Sequence, residues 1–147
     1  MTELTNHDIA VICACCSRRE VNGKRQIEHF TKAYRLAKNF SPSKEVGALP
    51  TEEQVKELIL KLAITIEPKA NKTYFRHPKG EELSAEHSFK HICWMFSVMF
   101  KPQEIYWEFK NSLPFCDGNG RLAELVWRVA VKLETNNWPY NLPPKEK

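Results

Sequence analysis

Apolar residues recur along this chain mostly at intervals of three and four, the spacing that lays one stripe along a helix, and seldom in the alternation of a half-buried strand. The clearest run follows Thr51-Glu52-Glu53-Gln54, a capping-box pattern, where Val55, Leu58, Ile59, Leu62, Ala63 and Ile66 share one helical face. The same spacing predicts a helix from Asn6 to about Arg19 through Ile9, Ile12, Cys13 and Cys16, with Thr5 or Asn6 as N-cap and Asp8 in the first turn. It predicts a second from Lys24 to Phe40 through Ile27, Phe30, Tyr34 and Ala37. Ser84 is placed to cap a fourth helix reaching about Phe100, and Pro102 suits the first residue of a fifth ending near Ser112. A sixth carries Leu122, Leu125, Val126, Val129, Ala130 and Leu133.

The breaks between these runs are as informative. Ser41-Pro42-Ser43 through Pro50 reads as a loop. Between Glu67 and Leu83 the helical pattern stops at Pro68, Asn71, Pro78 and Gly80, while Thr73-Tyr74-Phe75 favours an extended strand, so a short β-hairpin or flap is expected there. From Asn136 to Lys147 the chain should be extended, with Trp138 and Tyr140 available to dock on the bundle. The expected fold is mainly α, about six helices with one short hairpin, in a single domain spanning residues 1–147 and without internal repeats.

Composition narrows the partners. With 147 residues, 42% apolar and 27% charged, the chain can bury its own core, and no apolar run approaches the ~20 residues of a membrane span. A membrane partner is therefore not expected. The first residues are acidic where a secretory signal would be basic, which points to a cytoplasmic location. The net charge of +4 is spread among acidic residues, including Arg18-Arg19, which reads as a solvated helix end, and this weighs against a nucleic-acid partner. Five cysteines, an odd count, argue for reduced thiols. Cys13 and Cys16 share a helical face and could offer a metal two soft ligands with Cys93, Cys116 or a histidine, but no second cysteine pair has a ligand spacing, and burial as small apolar residues is the better reading. Helical spacing likewise favours core packing for most of Trp94, Trp107, Trp127 and Trp138.

The candidate chemistry lies between the fifth and sixth helices, in Leu113-Pro114-Phe115-Cys116-Asp117-Gly118-Asn119-Gly120-Arg121. Backbone N–H groups at a helix N-terminus, the Asp117 carboxylate for Mg²⁺, the Asn119 amide and the Arg121 guanidinium together suit the oxygens of a nucleotide's phosphates, and Gly118 and Gly120 allow close approach. A tight turn that binds nothing is the plain alternative for Asp-Gly-Asn-Gly.

This stretch resembles the motif of the Fic family, H-P-F-x-[D/E]-G-N-G-R-x-x-R, with Leu113 where the family has its histidine and Glu124 where it has its closing arginine. Upstream, Asn71-Lys72-Thr73-Tyr74-Phe75-Arg76 resembles the start of the family's flap, and Ile105-Tyr106-Trp107-Glu108-Phe109 the helix leading into the motif. Fic enzymes mostly transfer AMP from ATP to a protein hydroxyl. The resemblance implies a Fic-like helical bundle, a flap at Thr73, Tyr74, Phe75 and Arg76 that aligns a protein target by strand pairing, a metal held by Asp117, and phosphate held by Gly118, Asn119, Gly120 and Arg121. It implies Mg²⁺ and an ATP-like nucleotide as cofactors, and Phe115 as the loop's anchor.

The two departures point to lost transfer. Leu113 cannot accept a proton, and removing a general base typically costs ~10²–10⁴-fold in rate. Glu124 sets a carboxylate three residues after Arg121, where it is expected to pair with that arginine and compete with phosphate, a built-in regulatory block. Three readings follow: a pseudoenzyme acting by binding a nucleotide or a protein partner, as inhibitor or regulator; an active transferase or phosphate-ester hydrolase using Asp117, Glu124 or His77, with His87 and His91 as further candidate bases; or a helical interaction domain that keeps the loop only as structure. Cys116 is read as a bystander.

Overall fold

The computed structural model of the chain describes residues 3–42, 49–71, 85–112 and 114–144. Among the described residues the chain is a bundle of six helices, α1 (Asn6–Arg18), α2 (Lys24–Lys38), α3 (Glu52–Ile66), α4 (Ala85–Ser97), α5 (Pro102–Ser112) and α6 (Asn119–Thr135), with no strand. The expected flap residues Thr73, Tyr74, Phe75 and Arg76, together with His77, Ser84 and Leu113, lie outside the described residues.

α6 is the centre of the bundle. Every residue from Arg121 to Ala130 is buried, and the helix packs against α5, α2 and α3. α3 begins where the capping box predicts: Thr51 Oγ1 accepts the Gln54 N–H at 3.1 Å, and Gln54 Oε1 accepts the Thr51 N–H at 2.9 Å. Its stripe of Val55, Ile59, Leu62, Ala63 and Ile66 is buried, each large aliphatic side chain contributing about 1.5–3 kcal/mol of transfer free energy. α2 lies between α1 and α3, and α4 lies between α3 and α5. No helix among the described residues is long and apolar enough to cross a membrane.

Three helices differ from expectation, each for a local reason. α1 is rotated relative to the predicted stripe: Ile9 is 50% exposed and Cys13 is exposed, while Asp8, Val11, Ile12, Cys15 and Cys16 face inward. Asp8 sets this phase. Its carboxylate is fully buried and accepts from Tyr34 Oη at 2.7 Å, Lys38 Nζ at 2.7 Å and the Thr5 N–H at 2.8 Å, so a polar residue occupies a core position that an apolar pattern cannot reveal. α4 stops at Ser97, short of Phe100, because Met99 turns into the left-handed region (φ 61°) and the Phe100 N–H returns to Met95 O at 3.0 Å. Trp94, within α4, lies off the buried face of Ile92, Cys93, Met95 and Phe96 and is 40% exposed rather than core. α2 ends at Lys38 rather than Phe40, with Asn39 as its C-cap.

Residues 136–144 are neither helix nor strand. Trp138 docks, donating its indole N–H to Tyr34 Oη at 2.8 Å and meeting that ring edge-on at 5.4 Å. Tyr140 stays 42% exposed beside Lys38 and His7.

Burial pushes the Asp8 carboxyl up, but the bonds from Lys38, the Thr5 backbone and Tyr34 together outweigh it and hold it below its ordinary value. A depressed carboxylate stabilises the fold above its unfolded value of about 4 and loses that contribution as the pH falls through the lower folded value. Replacing Asp8 by Asn should therefore cost about 2 kcal/mol at pH 7, and the gap to wild type should shrink as the pH is lowered below about 4. Urea unfolding midpoints at pH 7 and pH 3 measure both.

Candidate anion site at the N-terminus of α6

The turn between α5 and α6 is held from inside the protein. Phe115 is fully buried between Phe89, edge-on at 5.7 Å, and Phe109, stacked at 6.2 Å, which is the anchoring expected of it. Asn119 clamps the turn by accepting the Phe115 N–H at 3.0 Å and donating to Phe115 O at 2.7 Å. Asn71, fully buried just beyond the end of α3, accepts the N–H groups of Cys116 at 3.1 Å and Asp117 at 3.2 Å and donates to the carbonyls of Asp117 at 3.0 Å and Ala63 at 2.9 Å. Asp117 Oδ1 accepts the Gly118 N–H at 2.7 Å.

The N–H groups of residues 115 to 118 are thus satisfied by protein oxygens, and the Asn119 amide, expected to touch phosphate, is instead committed to the turn. What remains for an anion is the first turn of α6. Its first backbone bond is the Leu122 N–H to Gly118 O at 2.9 Å, so the N–H groups of Asn119, Gly120 and Arg121 precede any intrahelical acceptor.

Gly118 caps the helix in the left-handed region (φ 77°). A Cβ there would sit 3.0 Å from Ile66 Cγ2 and 3.4 Å from Arg121 Nη2, so the backbone conformation and the close approach both call for glycine. A Cβ on Gly120 would sit 3.0 Å from Arg19 Nη1 and 3.1 Å from its Cζ, so that guanidinium lies directly over the first turn.

Around this turn is a cavity of about 350 Å³ lined by Arg19, Val21 and Lys110 together with residues 116–121. Among the described residues three cations and one carboxylate, that of Asp117, line it, and two of the cations are ion-paired, Arg19 with Glu124 and Arg121 with Glu67. Arg121 is 3% exposed; its Nη2 donates to Glu67 Oε1 at 2.8 Å, and its Nη1, also buried, has no acceptor among the described residues. An unpaired buried donor costs about 1–3 kcal/mol.

Glu124 does not pair with Arg121. It is 1% exposed and faces α1, where Arg18 Nη2 reaches Oε1 at 2.5 Å, Arg19 reaches Oε2 through Nε and Nη2, each at 3.2 Å, and the Cys15 thiol donates to Oε2 at 3.1 Å; Arg128 Nη2 lies 3.9 Å from Oε1. Residues three apart on a helix are about 60° apart in direction. That is enough for Arg121 to meet the end of α3 while Glu124 meets α1. The expected block of Arg121 by Glu124 is corrected accordingly, and the acid on Arg121 is Glu67.

Burial first and the Glu124 carboxylate second push the Cys15 thiol far up, which keeps it a neutral donor. Burial also raises Cys16, and raises Cys93 to about 12, so these three are inert as nucleophiles. Cys13 and Cys116 are exposed. His87 and His91 are exposed on α4 and do not line the cavity. No group of three or more His, Cys, Asp or Glu able to hold a metal occurs among the described residues; Asp117 stands in the loop as a single carboxylate.

Asn71, Arg19, Lys110 and Glu67 are site residues that sequence reasoning missed. Asn71 reads in one dimension as a turn residue and Arg19 as a solvated helix end, and no local spacing ties either to a loop more than forty residues away. No family model matches this chain, and neither a curated protein nor a solved structure matches it significantly.

Because Asn71 supplies both acceptor and donor to the turn, Asn71→Ala should lower stability by about 2–3 kcal/mol. Asn71→Asp should fail to restore it, since a carboxylate can accept the two N–H groups but cannot donate to the carbonyls of Ala63 and Asp117. Chemical unfolding of the two variants beside wild type checks this.

Proposed function

We propose that this chain is a Fic-fold protein that has lost ordinary AMP transfer and acts by binding, taking the phosphates of a nucleotide-like ligand in the cavity at the N-terminus of α6. The single observation that carries the reading is Arg121: buried, lining the cavity, and with Nη1 lacking an acceptor among the described residues. The cationic lining and the free N–H groups of the first helical turn support it, as does a cavity volume of about 350 Å³, within the range of small-ligand sites.

In this reading the Arg121 guanidinium, held by Glu67, places its positive charge beside the cavity that takes phosphate. Asp117 offers the one carboxylate that a Mg²⁺ held mainly by phosphate oxygens asks of a protein, and the ion when bound would neutralise phosphate charge. Leu113 provides no base, and the described residues lining the cavity include no histidine in its place. A protein partner reached through residues 73–76 is the remaining part of the proposal, resting on the resemblance of that segment to a target-aligning flap. The ligand or partner so bound would make the chain an inhibitor or regulator.

Isothermal titration with ATP and ADP in Mg²⁺ tests the reading. Wild type should bind at least one of them, and Arg121→Gln should weaken that binding by about ten- to a hundredfold, the range for a charge-assisted hydrogen bond. Incubation with labelled ATP and cell lysate should leave no labelled protein. Absence of nucleotide binding leaves only a helical interaction domain, and a labelled product identifies an active transferase.

A further inference from the structure

Arg128 is the other buried arginine of α6, and the chain compensates its charge incompletely. Its side chain is 2% exposed. Among the described residues its one hydrogen bond runs from Nη1 to Pro139 O at 2.7 Å, and the acid it faces, Glu124, stands 3.9 Å from Nη2, beyond hydrogen-bond reach. That carboxylate is already engaged by Arg18 at 2.5 Å and by Arg19 at 3.2 Å. Nε and Nη2 of Arg128 are thus without an acceptor among the described residues, yet neither is sealed from open space as Arg121 Nη1 is. Burial disfavours the charged form of Arg128 by more than Glu124 restores it.

This guanidinium lines a second cavity of about 250 Å³, between α1 and the C-terminal segment. Arg18 lines it too, and among the described residues no carboxylate does. Most of the remaining wall is apolar. Ala10 and Ala14, one turn apart on α1, leave room that a larger side chain would fill, and Tyr140 and Leu142, 42% and 67% exposed, offer uncovered apolar surface from the C-terminal segment. The bond from Arg128 to Pro139 O ties that segment to the same guanidinium.

We propose that the cavity between α1 and residues 140–142 binds a small organic carboxylate, its head group on Arg128 and Arg18 and its hydrocarbon body against Ala10, Ala14, Tyr140 and Leu142. A planar carboxylate matches the edge of a guanidinium, and a cavity walled mainly by apolar groups with a few convergent polar ones suits an anion that carries an apolar body better than a hydrated inorganic ion. This cavity shares no lining residue with the one at the N-terminus of α6, so the inference is independent of nucleotide binding there.

Titration calorimetry of the full chain with phenylacetate, its neutral analogue phenylacetamide, and acetate tests the proposal. Wild type should bind phenylacetate about tenfold or more tighter than either of the others. Arg128→Lys keeps the charge but loses the planar fork and should weaken phenylacetate about tenfold or more. Ala14→Leu fills the cavity without altering a charge, at an exposed position, and should weaken it as much. Equal binding of the amide removes the role of the arginines, equal binding of acetate removes that of the apolar wall, and either result overturns the proposal. So does full phenylacetate affinity in Arg128→Lys or in Ala14→Leu, or no binding to wild type up to about 10 mM. Should Arg128→Lys fail to fold, Arg18→Gln, at a side chain 36% exposed, takes its place, and undiminished affinity in that variant also overturns the proposal.

Discussion

A helix enclosed on every side must find partners within the protein for any charge it carries, and α6 carries three of them in its buried stretch: Arg121, Glu124 and Arg128. Each draws a different segment onto the helix. Glu124 brings in the end of α1 through Arg18 and Arg19. Arg121 takes the Glu67 carboxylate at the end of α3. Arg128 donates to the Pro139 carbonyl of the C-terminal segment at 2.7 Å and lies over the Trp127 ring at 5.3 Å. Apolar burial drives the bundle together, but these pairings determine which ends meet at the cavity.

The turn before α6 follows the same logic with neutral groups. Asn71 and Asn119 hold five of its backbone polar groups, and Phe115 pins it between two rings. A loop satisfied in this way is held by the protein's own groups, so the anion binding proposed above would give up little conformational entropy in it. The loop's own side-chain amide is spent on the turn, which leaves the backbone N–H groups of the first helical turn as the part of this segment that such a ligand would meet.

Much of the fold was legible because the helices carry stripes or caps that local rules describe. α3 shows this best, with its capping box and continuous apolar face both in place. α1 was legible in extent but not in phase, because Asp8 is a core residue by virtue of Tyr34 and Lys38 on another helix. The location of the candidate site was legible in Asp117-Gly118-Asn119-Gly120-Arg121, where two glycines and an arginine open a helix. Its wiring was not. Position on a helix gives a direction, and only the packing says whether that direction meets Glu67 or Arg19; Glu124 was thus assigned to the wrong arginine. Lys110 and Arg19 join the cavity from segments whose local sequence contains no sign of it.

The carboxylate at position 124 is shared by three guanidinium groups drawn from two helices. An arginine placed there would stand among Arg18, Arg19 and Arg128 with no acid between them, so reversing that one charge would turn an ion-paired seam between α1 and α6 into a cluster of repelling cations.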